Sequence, residues 1–160
     1  MNGIWGIYLL SWLVLLLLGY FLGCLNGSVM ISHFVIRDDV RQHGSGNAGL
    51  TNFYRTYGAR YALGVILFDM GKTVVACLLG GAMFNHLFGD WALGVLLGGL
   101  GCELGHMFPV FFGFKGGKGI LSGGTLVLPN GEDSLTMESG KLHNHGGTLQ
   151  GYYSIFTVYL

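Results

Sequence analysis

From Met1 to Ile36 the chain contains no Asp, Glu, Lys or Arg. Within this segment, the apolar run IWGIYLLSWLVLLLLGYFLGCL exceeds the roughly 20 residues that a helix needs to cross the hydrocarbon core of a bilayer. A cleaved signal peptide would begin with a basic region and end at a small-residue cleavage site, and this segment has neither. The sequence therefore predicts an uncleaved transmembrane helix over residues 4–25.

Two further apolar runs, residues 61–84 and 91–114, are also long enough to span a membrane. Backbone groups in lipid need hydrogen-bond partners within their own segment, so a helix is the default structure for each run. The composition agrees, because 10% of the residues are charged against about 25% in soluble domains. We therefore predict an all-α, polytopic membrane protein with at least three transmembrane helices and cytoplasmic glycine-rich loops.

The placement of basic residues predicts the orientation of these helices. Four arginines lie between the first two runs and two lysines follow the third, whereas the amino end and residues 85–90 have no Lys or Arg. Cytoplasmic loops are enriched in basic residues, so we expect the amino terminus outside. The polar segments RQHGSGNAGLTN (residues 41–52) and FKGGKG (residues 114–119) then share the cytoplasmic side and are expected to form one site. A net charge of zero gives no reason to expect a nucleic-acid partner.

The first polar segment, residues 41–52, has the composition of an anion-binding loop. Its glycines allow successive backbone N–H groups to turn toward one centre. Arg41 adds a planar guanidinium suited to phosphate, and hydroxyl and amide side chains add neutral donors. A turn that only joins two helices is the alternative. The predicted phosphate-binding glycines of this segment are Gly44, Gly46 and Gly49.

The second polar segment places two lysines among glycines directly after the third apolar run. It does not match the nucleotide-binding pattern G-x-x-x-x-G-K-[ST], because Phe112 stands at the first glycine position. We expect a lysine-flanked turn that binds phosphate, and the alternative is an interfacial anchor that binds only lipid headgroups. The candidate phosphate-binding residues are Lys115, Gly116, Gly117, Lys118 and Gly119.

Asp69 and Lys72 lie within the second apolar run, three positions apart, and so project from one helical face. Each ionisable group costs roughly 2.5–3.5 kcal/mol at mid-membrane depth. This cost indicates either support for a functional site or a self-neutralising pair that fixes helix packing. No nucleophile, base and orienting acid stand at a readable spacing, so the sequence does not indicate covalent catalysis.

Together these segments resemble the PlsY family, the bacterial integral-membrane acyltransferases that use acyl phosphate and glycerol 3-phosphate. The resemblance covers about residues 4–123. It lies in Gly27-Ser28, in RQHGSGNAGLTN followed by FYRTYG, in FDMGK and in GHMFPVFFGFKGGKG. It implies transfer of a fatty acyl group from acyl phosphate to the 1-hydroxyl of glycerol 3-phosphate, which yields lysophosphatidic acid and phosphate without a metal or another cofactor. It also implies a multi-pass protein of the bacterial inner membrane that acts in phospholipid synthesis.

The resemblance further implies roles for individual residues. The first motif surrounds the acyl phosphate and the reacting centre, and the second holds glycerol 3-phosphate, with His106 at its opening. Because acyl phosphate is already activated, alignment of the hydroxyl and stabilisation of the developing oxyanion would supply much of the acceleration. A phosphate oxygen of the substrate is a candidate base. The catalytic candidates are Ser28, Arg41, Ser45, Asn47, Thr51 and Asn52.

The resemblance ends near Leu128. Family members continue through further spans to a third motif that contains His and Asn, whereas residues 129–160 here are a polar tail without a spanning apolar run. We predict a membrane acyltransferase domain over residues 1–128 followed by a disordered tail. We interpret the chain as a truncated or frame-shifted copy of a family member. The rival interpretations are a non-catalytic membrane protein that binds or transports phosphorylated anions, and an inactive fragment of the acyltransferase. The sequence predicts neither the acyl-chain preference nor the oligomeric state.

Overall fold

The computed structural model describes residues 2–126, 135–138 and 141–144. A π-helix over Ile31–Ile36 continues the second α-helix, and 3₁₀ turns occupy Val40–Gln42 and Val110–Phe112. Two short antiparallel strands, β1 (Leu135–Glu138) and β2 (Lys141–Asn144), pair with each other. The α-helices are α1 (Asn2–Gly23), α2 (Gly27–Met30), α3 (Leu50–Tyr57), α4 (Ala59–Phe88), α5 (Trp91–Met107) and α6 (Ile120–Leu126). The predicted all-α membrane fold is confirmed for the part of the chain that carries the motifs.

Within the described residues, three segments are long and apolar enough to cross a membrane, namely Trp5–Ile36, Ala59–Phe88 and Trp91–Phe112. Their number agrees with the prediction, but their bounds differ from it. α4 extends beyond the predicted 61–84 at both ends. α5 ends at Met107, well inside the predicted 91–114. The residue before a proline is disfavoured in the α region, and Phe108 before Pro109 has φ −126° and ψ 60°.

The first predicted helix, residues 4–25, agrees with α1 within two residues at each end. α1 ends at Gly23 and the rest of the uncharged segment starts a new helix, α2, at Gly27. Asn26 caps α2, because its side-chain oxygen accepts a hydrogen bond of 3.1 Å from the N–H of Val29. The uncharged segment before Arg37 therefore forms more than one helix, with a break at residues 24–26.

The long helices pack through glycines, with α5 in contact with both α1 and α4. A Cβ added at Gly19 of α1 would clash with the carbonyl oxygen of Gly98, and one added at Gly80 of α4 would clash with that of Gly94. Lipid tails are as apolar as leucine, so transmembrane helices associate through close van der Waals contact between small residues. The glycines thus set how closely the backbones that carry the site approach each other.

We expect Gly80→Ala to lower the Tm of the purified protein, because overpacking against backbone costs about 1–3 kcal/mol. Gly71→Ala, in the same helix, is the matched control, since an added Cβ there meets nothing within 4 Å. Alanine is also about 1 kcal/mol better than glycine inside a helix. Thermal unfolding in detergent should therefore rank Gly80→Ala below the wild type and Gly71→Ala at or above it. Equal Tm values for the two variants would contradict close packing at Gly80.

The polar tail is described only at β1 and β2, whose register pairs Leu135 with Asn144 and Glu138 with Lys141. This strand pair was not expected from the sequence. The predicted disorder of residues 129–160 otherwise falls outside the described residues. It stays a prediction, as does the domain boundary at residue 128.

Candidate active site

A cavity of about 640 Å³ lies where the two glycine-rich segments meet. Residues of the first segment and the start of α3 form one wall, and Lys118 and Gly119 of the second segment form another. Asp69 of α4 and His106 of α5 also line the cavity. Segments that are far apart in the sequence, and that we expected to form one site, are therefore brought together at one cavity.

Asn52, in the first turn of α3, organises the first segment. Its Nδ2 lies 3.0–3.1 Å from the carbonyl oxygens of Val40, His43 and Asn47. Its Oδ1 accepts a hydrogen bond of 3.0 Å from the N–H of Ser45. The amide has two N–H donors, so the three carbonyls share them. The centre of the loop, where we expected N–H groups to converge on an anion, is therefore filled by a side chain that is 6% exposed.

The glycines of the first segment divide into two groups. Gly44 and Gly46 have φ values of 55° and 71°, which favour glycine, and a Cβ at Gly44 would clash with Oδ1 of Asn52. Gly49 has φ −101°, precedes α3 as its N-cap residue and lines the cavity. Gly49 is therefore placed to contact a ligand, whereas Gly44 and Gly46 shape the loop around Asn52.

Arg41 is held by two groups and does not line the cavity. Its guanidinium pairs with Asp39 through Nε–Oδ1 at 2.9 Å and Nη2–Oδ2 at 2.8 Å. Its Nη1 donates to the carbonyl oxygen of Phe112 at 2.8 Å. The hydrogen bonds between the two side chains raise the pKa of Arg41 and lower the pKa of Asp39. Arg41 thus links the first segment to the chain that leads into the second.

Asp38 fastens the same loop to the end of α3. Its Oδ2 lies 2.8 Å from Nε2 of His43 and accepts a hydrogen bond of 2.9 Å from the hydroxyl of Tyr57. The contact with His43 is the largest cause that lowers the pKa of Asp38. Burial and the nearby carboxylate raise the pKa of Tyr57 to about 12. Asp38 therefore ties the loop to α3, as Arg41 ties it to Phe112.

Asp69, Lys72 and His106 meet beside the cavity, and each is at most 7% exposed. Nζ of Lys72 lies 2.9 Å from Oδ1 of Asp69 and 3.1 Å from Nδ1 of His106. Asp69 and His106 line the cavity, and Lys72 contacts both of them. The sequence did not decide whether this buried pair supports the site or only fixes helix packing. In the structure, the pair is in direct contact with a residue of the site.

The same pair also holds the break between α1 and α2. Lys72 donates to the carbonyl oxygens of Gly23 and Leu25 at 3.1 and 2.9 Å. Asp69 accepts a hydrogen bond of 3.0 Å from the N–H of Gly27. Carbonyls at the end of a helix carry partial negative charge and N–H groups at its start carry partial positive charge. Each charge of the pair therefore faces the helix end of opposite sign.

The second segment fits tightly against α5. Gly117 donates to the carbonyl oxygen of His106 at 3.1 Å. A Cβ added at Gly116 would clash with that same carbonyl, and one added at Gly117 would clash with Nε2 of His106. Gly119 has φ 78°, and a Cβ there would clash with Oε1 of Glu103. The predicted phosphate-binding glycines therefore allow this loop to approach the helix that carries His106.

Of four further candidate side chains, two line the cavity and two do not. Lys118 lines the cavity, whereas Lys115 is exposed and does not. Asn47 lines the cavity, and its buried Oδ1 has no hydrogen-bond partner among the described residues. Ser28 is fully buried in α2 away from the cavity lining, and its Oγ also has no partner within the described ranges. A buried polar atom without a partner is costly, so Asn47 is suited to meet a ligand.

Arg55 lines the cavity and was not predicted as a site residue. It lies four positions after Thr51, and residues at this spacing share a face of α3. Helical spacing beyond the glycine-rich motif is the signal that could have identified it. Neither Arg55 nor Lys118 has a hydrogen bond or ion pair in the described part of the chain, so both cations are available to an anion.

Among the described residues, no three His, Cys, Asp or Glu side chains cluster as a metal site requires.

Comparison with known proteins identifies similar sequences and structures. The family described as "Glycerol-3-phosphate acyltransferase" matches residues 13–131. The chain is 39% identical to the glycerol-3-phosphate acyltransferase of Finegoldia magna over 74% of its length and 59% of the relative. It is 44% identical to that of Mycoplasmopsis agalactiae over 67% of its length and 47% of the relative. The chain thus spans about half the length of the curated relatives it matches.

A solved structure is also similar. It is the crystal structure of PlsY, an integral membrane glycerol 3-phosphate acyltransferase, in its glycerol 3-phosphate form. The TM-score is 0.63 at 34% identity, and the alignment covers 78% of this chain and 60% of the other. The two folds are therefore similar over most of this chain.

Proposed function

This chain belongs to the glycerol-3-phosphate acyltransferase family, and on that premise we propose that its cavity transfers a fatty acyl group from acyl phosphate to the 1-hydroxyl of glycerol 3-phosphate. The observation that carries the proposal is the single cavity at which both glycine-rich segments, two unpaired cations and several neutral donors meet. Both substrates carry phosphate, and one carries a long apolar chain. A site for them needs cations, hydrogen-bond donors and an apolar wall in one place.

The cationic part of the site consists of Arg55 and Lys118. A guanidinium binds phosphate in a planar, bidentate manner, whereas an ammonium acts as a point charge. Ser45 and Thr51 add hydroxyl groups on the same wall, and the unpartnered Oδ1 of Asn47 is suited to accept a hydrogen bond from a hydroxyl of glycerol 3-phosphate. We assign phosphate binding to the two cations and orientation of the acceptor to the neutral side chains.

The acyl chain requires an apolar surface next to these groups. Leu50, Met70, Ile120 and Leu121 line the same cavity. Met70 belongs to α4, which is long and apolar enough to cross a bilayer. An acyl phosphate would therefore place its phosphate among the donors and its hydrocarbon chain against these side chains and the adjacent lipid.

In the proposed reaction, the 1-hydroxyl oxygen attacks the carbonyl carbon of the acyl phosphate. A new ester C–O bond forms, and the bond between the carbonyl carbon and the bridging oxygen of the phosphate breaks. The hydroxyl proton passes to a phosphate oxygen. Lysophosphatidic acid and inorganic phosphate are the products. The protein contributes alignment of the hydroxyl and donors for the oxyanion. Arg41 and Asn52 serve here as positioning residues, since their side chains hold the loop that carries Ser45 and Asn47.

We place the cavity at the cytoplasmic face of a bacterial inner membrane, with the amino terminus outside. Six basic residues support this orientation, because they lie in the two connections that form the site end of the bundle: Arg37, Arg41, Arg55, Arg60, Lys115 and Lys118. The relatives are bacterial proteins, which supports a bacterial membrane as the location.

The test uses the full chain in lipid vesicles with an acyl phosphate. We expect phosphate release that depends on glycerol 3-phosphate and is matched by lysophosphatidic acid, followed by mass spectrometry. Arg55→Gln should raise the KM for glycerol 3-phosphate at least about tenfold, because a charged hydrogen bond contributes about 1.5–3 kcal/mol. Arg60→Gln is the matched control, since Arg60 lies outside the cavity lining and should leave the KM unchanged.

Two results would count against the proposal. One is phosphate release that does not depend on glycerol 3-phosphate. The other is flux of phosphorylated anions across the vesicle membrane without any lysophosphatidic acid, which would instead favour a non-catalytic transport protein.

A further inference from the structure

The two ring nitrogens of His106 face different surroundings. Nδ1 lies 3.1 Å from Nζ of Lys72 and 3.7 Å from Oδ1 of Asp69. Nε2 lies on the side of Gly117, where an added Cβ would clash with it. Nε2 has no hydrogen bond to any described residue, and the imidazole lines the cavity. One nitrogen is therefore engaged by the buried cation, and the other is open to a ligand.

The chemistry of Lys72 determines which nitrogen carries the proton. An ammonium has three N–H donors and cannot accept a hydrogen bond. Its three N–H groups are shared among four acceptors within 3.1 Å, namely oxygens of Asp69, Gly23 and Leu25 and Nδ1 of His106. Nδ1 therefore faces a group that only donates, and carries no proton. A proton on Nδ1 would point at the ammonium, and the carboxylate of Asp69 at 3.7 Å is beyond hydrogen-bond distance. The neutral imidazole then has its proton on Nε2.

The local charge balance agrees with a neutral His106. Asp69 and Lys72 neutralise each other at 2.9 Å, and both are almost fully buried. A protonated imidazole would add a second positive charge next to the ammonium in a place that water scarcely reaches. Burial of an uncompensated charge is far more costly than burial of a neutral ring with satisfied hydrogen bonds.

We propose that Lys72 is a positioning residue that holds His106 in the neutral Nε2–H tautomer and thereby presents a hydrogen-bond donor to the cavity beside Gly117. The N–H faces the loop that carries Lys118, so the group it meets is an oxygen of a phosphate ester held there. This last step rests on the proposed function, whereas the tautomer does not. The pair Asp69 and Lys72 thus has two roles, because it also holds the break between α1 and α2.

The tautomer is measurable directly by NMR of the full chain labelled with ¹⁵N-histidine in nanodiscs. The chain has six histidines, so His106→Gln serves to assign the signals of His106. In the wild type we expect a protonated Nε2 and an unprotonated Nδ1. In Lys72→Met the fixed tautomer should be lost, and both nitrogens should move toward averaged shifts. Addition of glycerol 3-phosphate to the wild type should shift Nε2 more than Nδ1.

A second variant controls for misfolding of Lys72→Met. Lys72→Met leaves Asp69 buried without its cation, whereas Asp69→Asn/Lys72→Met removes both charges and also removes the donor to Nδ1. Averaged His106 signals in the double variant support the proposal. A protonated Nδ1 in the wild type, or an unchanged Nε2–H tautomer in the double variant, would overturn it.

The activity of the same wild-type sample keeps the two proposals separate. Acyl transfer together with a protonated Nδ1 overturns the assignment of Lys72 and leaves the proposed function intact. A fixed Nε2–H tautomer without acyl transfer supports the assignment of Lys72 and counts against the proposed function.

Discussion

Lys72→Met is expected to lower the free energy of unfolding by about 3–5 kcal/mol, which is the usual cost of removing one partner from a buried ion pair. The reason is the set of buried contacts that Nζ of Lys72 makes. It pairs with Asp69 at 2.9 Å and donates to the carbonyl oxygens of Gly23 and Leu25. Methionine fills a similar volume but donates to none of them, so a buried carboxylate and the end of α1 lose their partner.

A double-mutant cycle separates the charge from the hydrogen bonds. Asp69→Asn retains an oxygen for the N–H of Gly27, so this variant mainly removes the negative charge. We expect Asp69→Asn/Lys72→Met to be more stable than Lys72→Met alone, since it no longer buries an unpaired carboxylate. Lys115→Met is the control, because Lys115 is exposed and outside the cavity lining. Chemical unfolding in detergent measures the loss of unfolding free energy in each variant. A loss in the double variant equal to the sum of the losses in Asp69→Asn and Lys72→Met would contradict this account.

Asn52→Asp is expected to reduce acyl transfer more than about 100-fold and to weaken binding of glycerol 3-phosphate. In the wild type, the amide of Asn52 donates toward the carbonyls of Val40, His43 and Asn47. A carboxylate would face the same oxygens with negative charge and no donor. Each buried group left unsatisfied costs about 1–3 kcal/mol.

An opposing effect acts on the same substitution. Asn52 lies in the first turn of α3, where a negative charge is favoured by about 0.3–1 kcal/mol. The loss of donors to several carbonyls is the larger of the two effects, so we expect the loop to open. Opening would displace Ser45 and Asn47 from the cavity wall, which is why binding and transfer should fall together.

The control for this prediction is Asn85→Asp, because Asn85 is exposed in α4 and far from the loop in the sequence. It introduces the same charge and should leave transfer and binding of glycerol 3-phosphate unchanged. Phosphate release and ligand titration on the three proteins provide the measurements. Wild-type binding in Asn52→Asp would show that the amide does not hold the loop.

Several features of the fold and the site were predictable because their causes are local in the chain. The length of an apolar run determines whether it spans a bilayer, and this correctly predicted three membrane segments. The basic residues and glycines placed both polar segments at one end, and the structure joins them at one cavity. A residue outside the motif, Arg55, was missed, although its helical spacing from Thr51 was present in the sequence.

The sequence by itself therefore determined the helical class, the number of membrane segments and which two loops meet, since hydrophobicity, glycine and charge act where they stand in the chain. Only the tertiary structure decided how those parts are used. It showed that Lys72 and Asp69 hold the break between α1 and α2, and that Asn52 fills the loop we expected to hold an anion. It also placed Nζ of Lys72 3.1 Å from Nδ1 of His106. These are contacts between groups from different helices or across a folded loop, and their hydrogen bonds exist only once packing has brought donor and acceptor within about 3 Å.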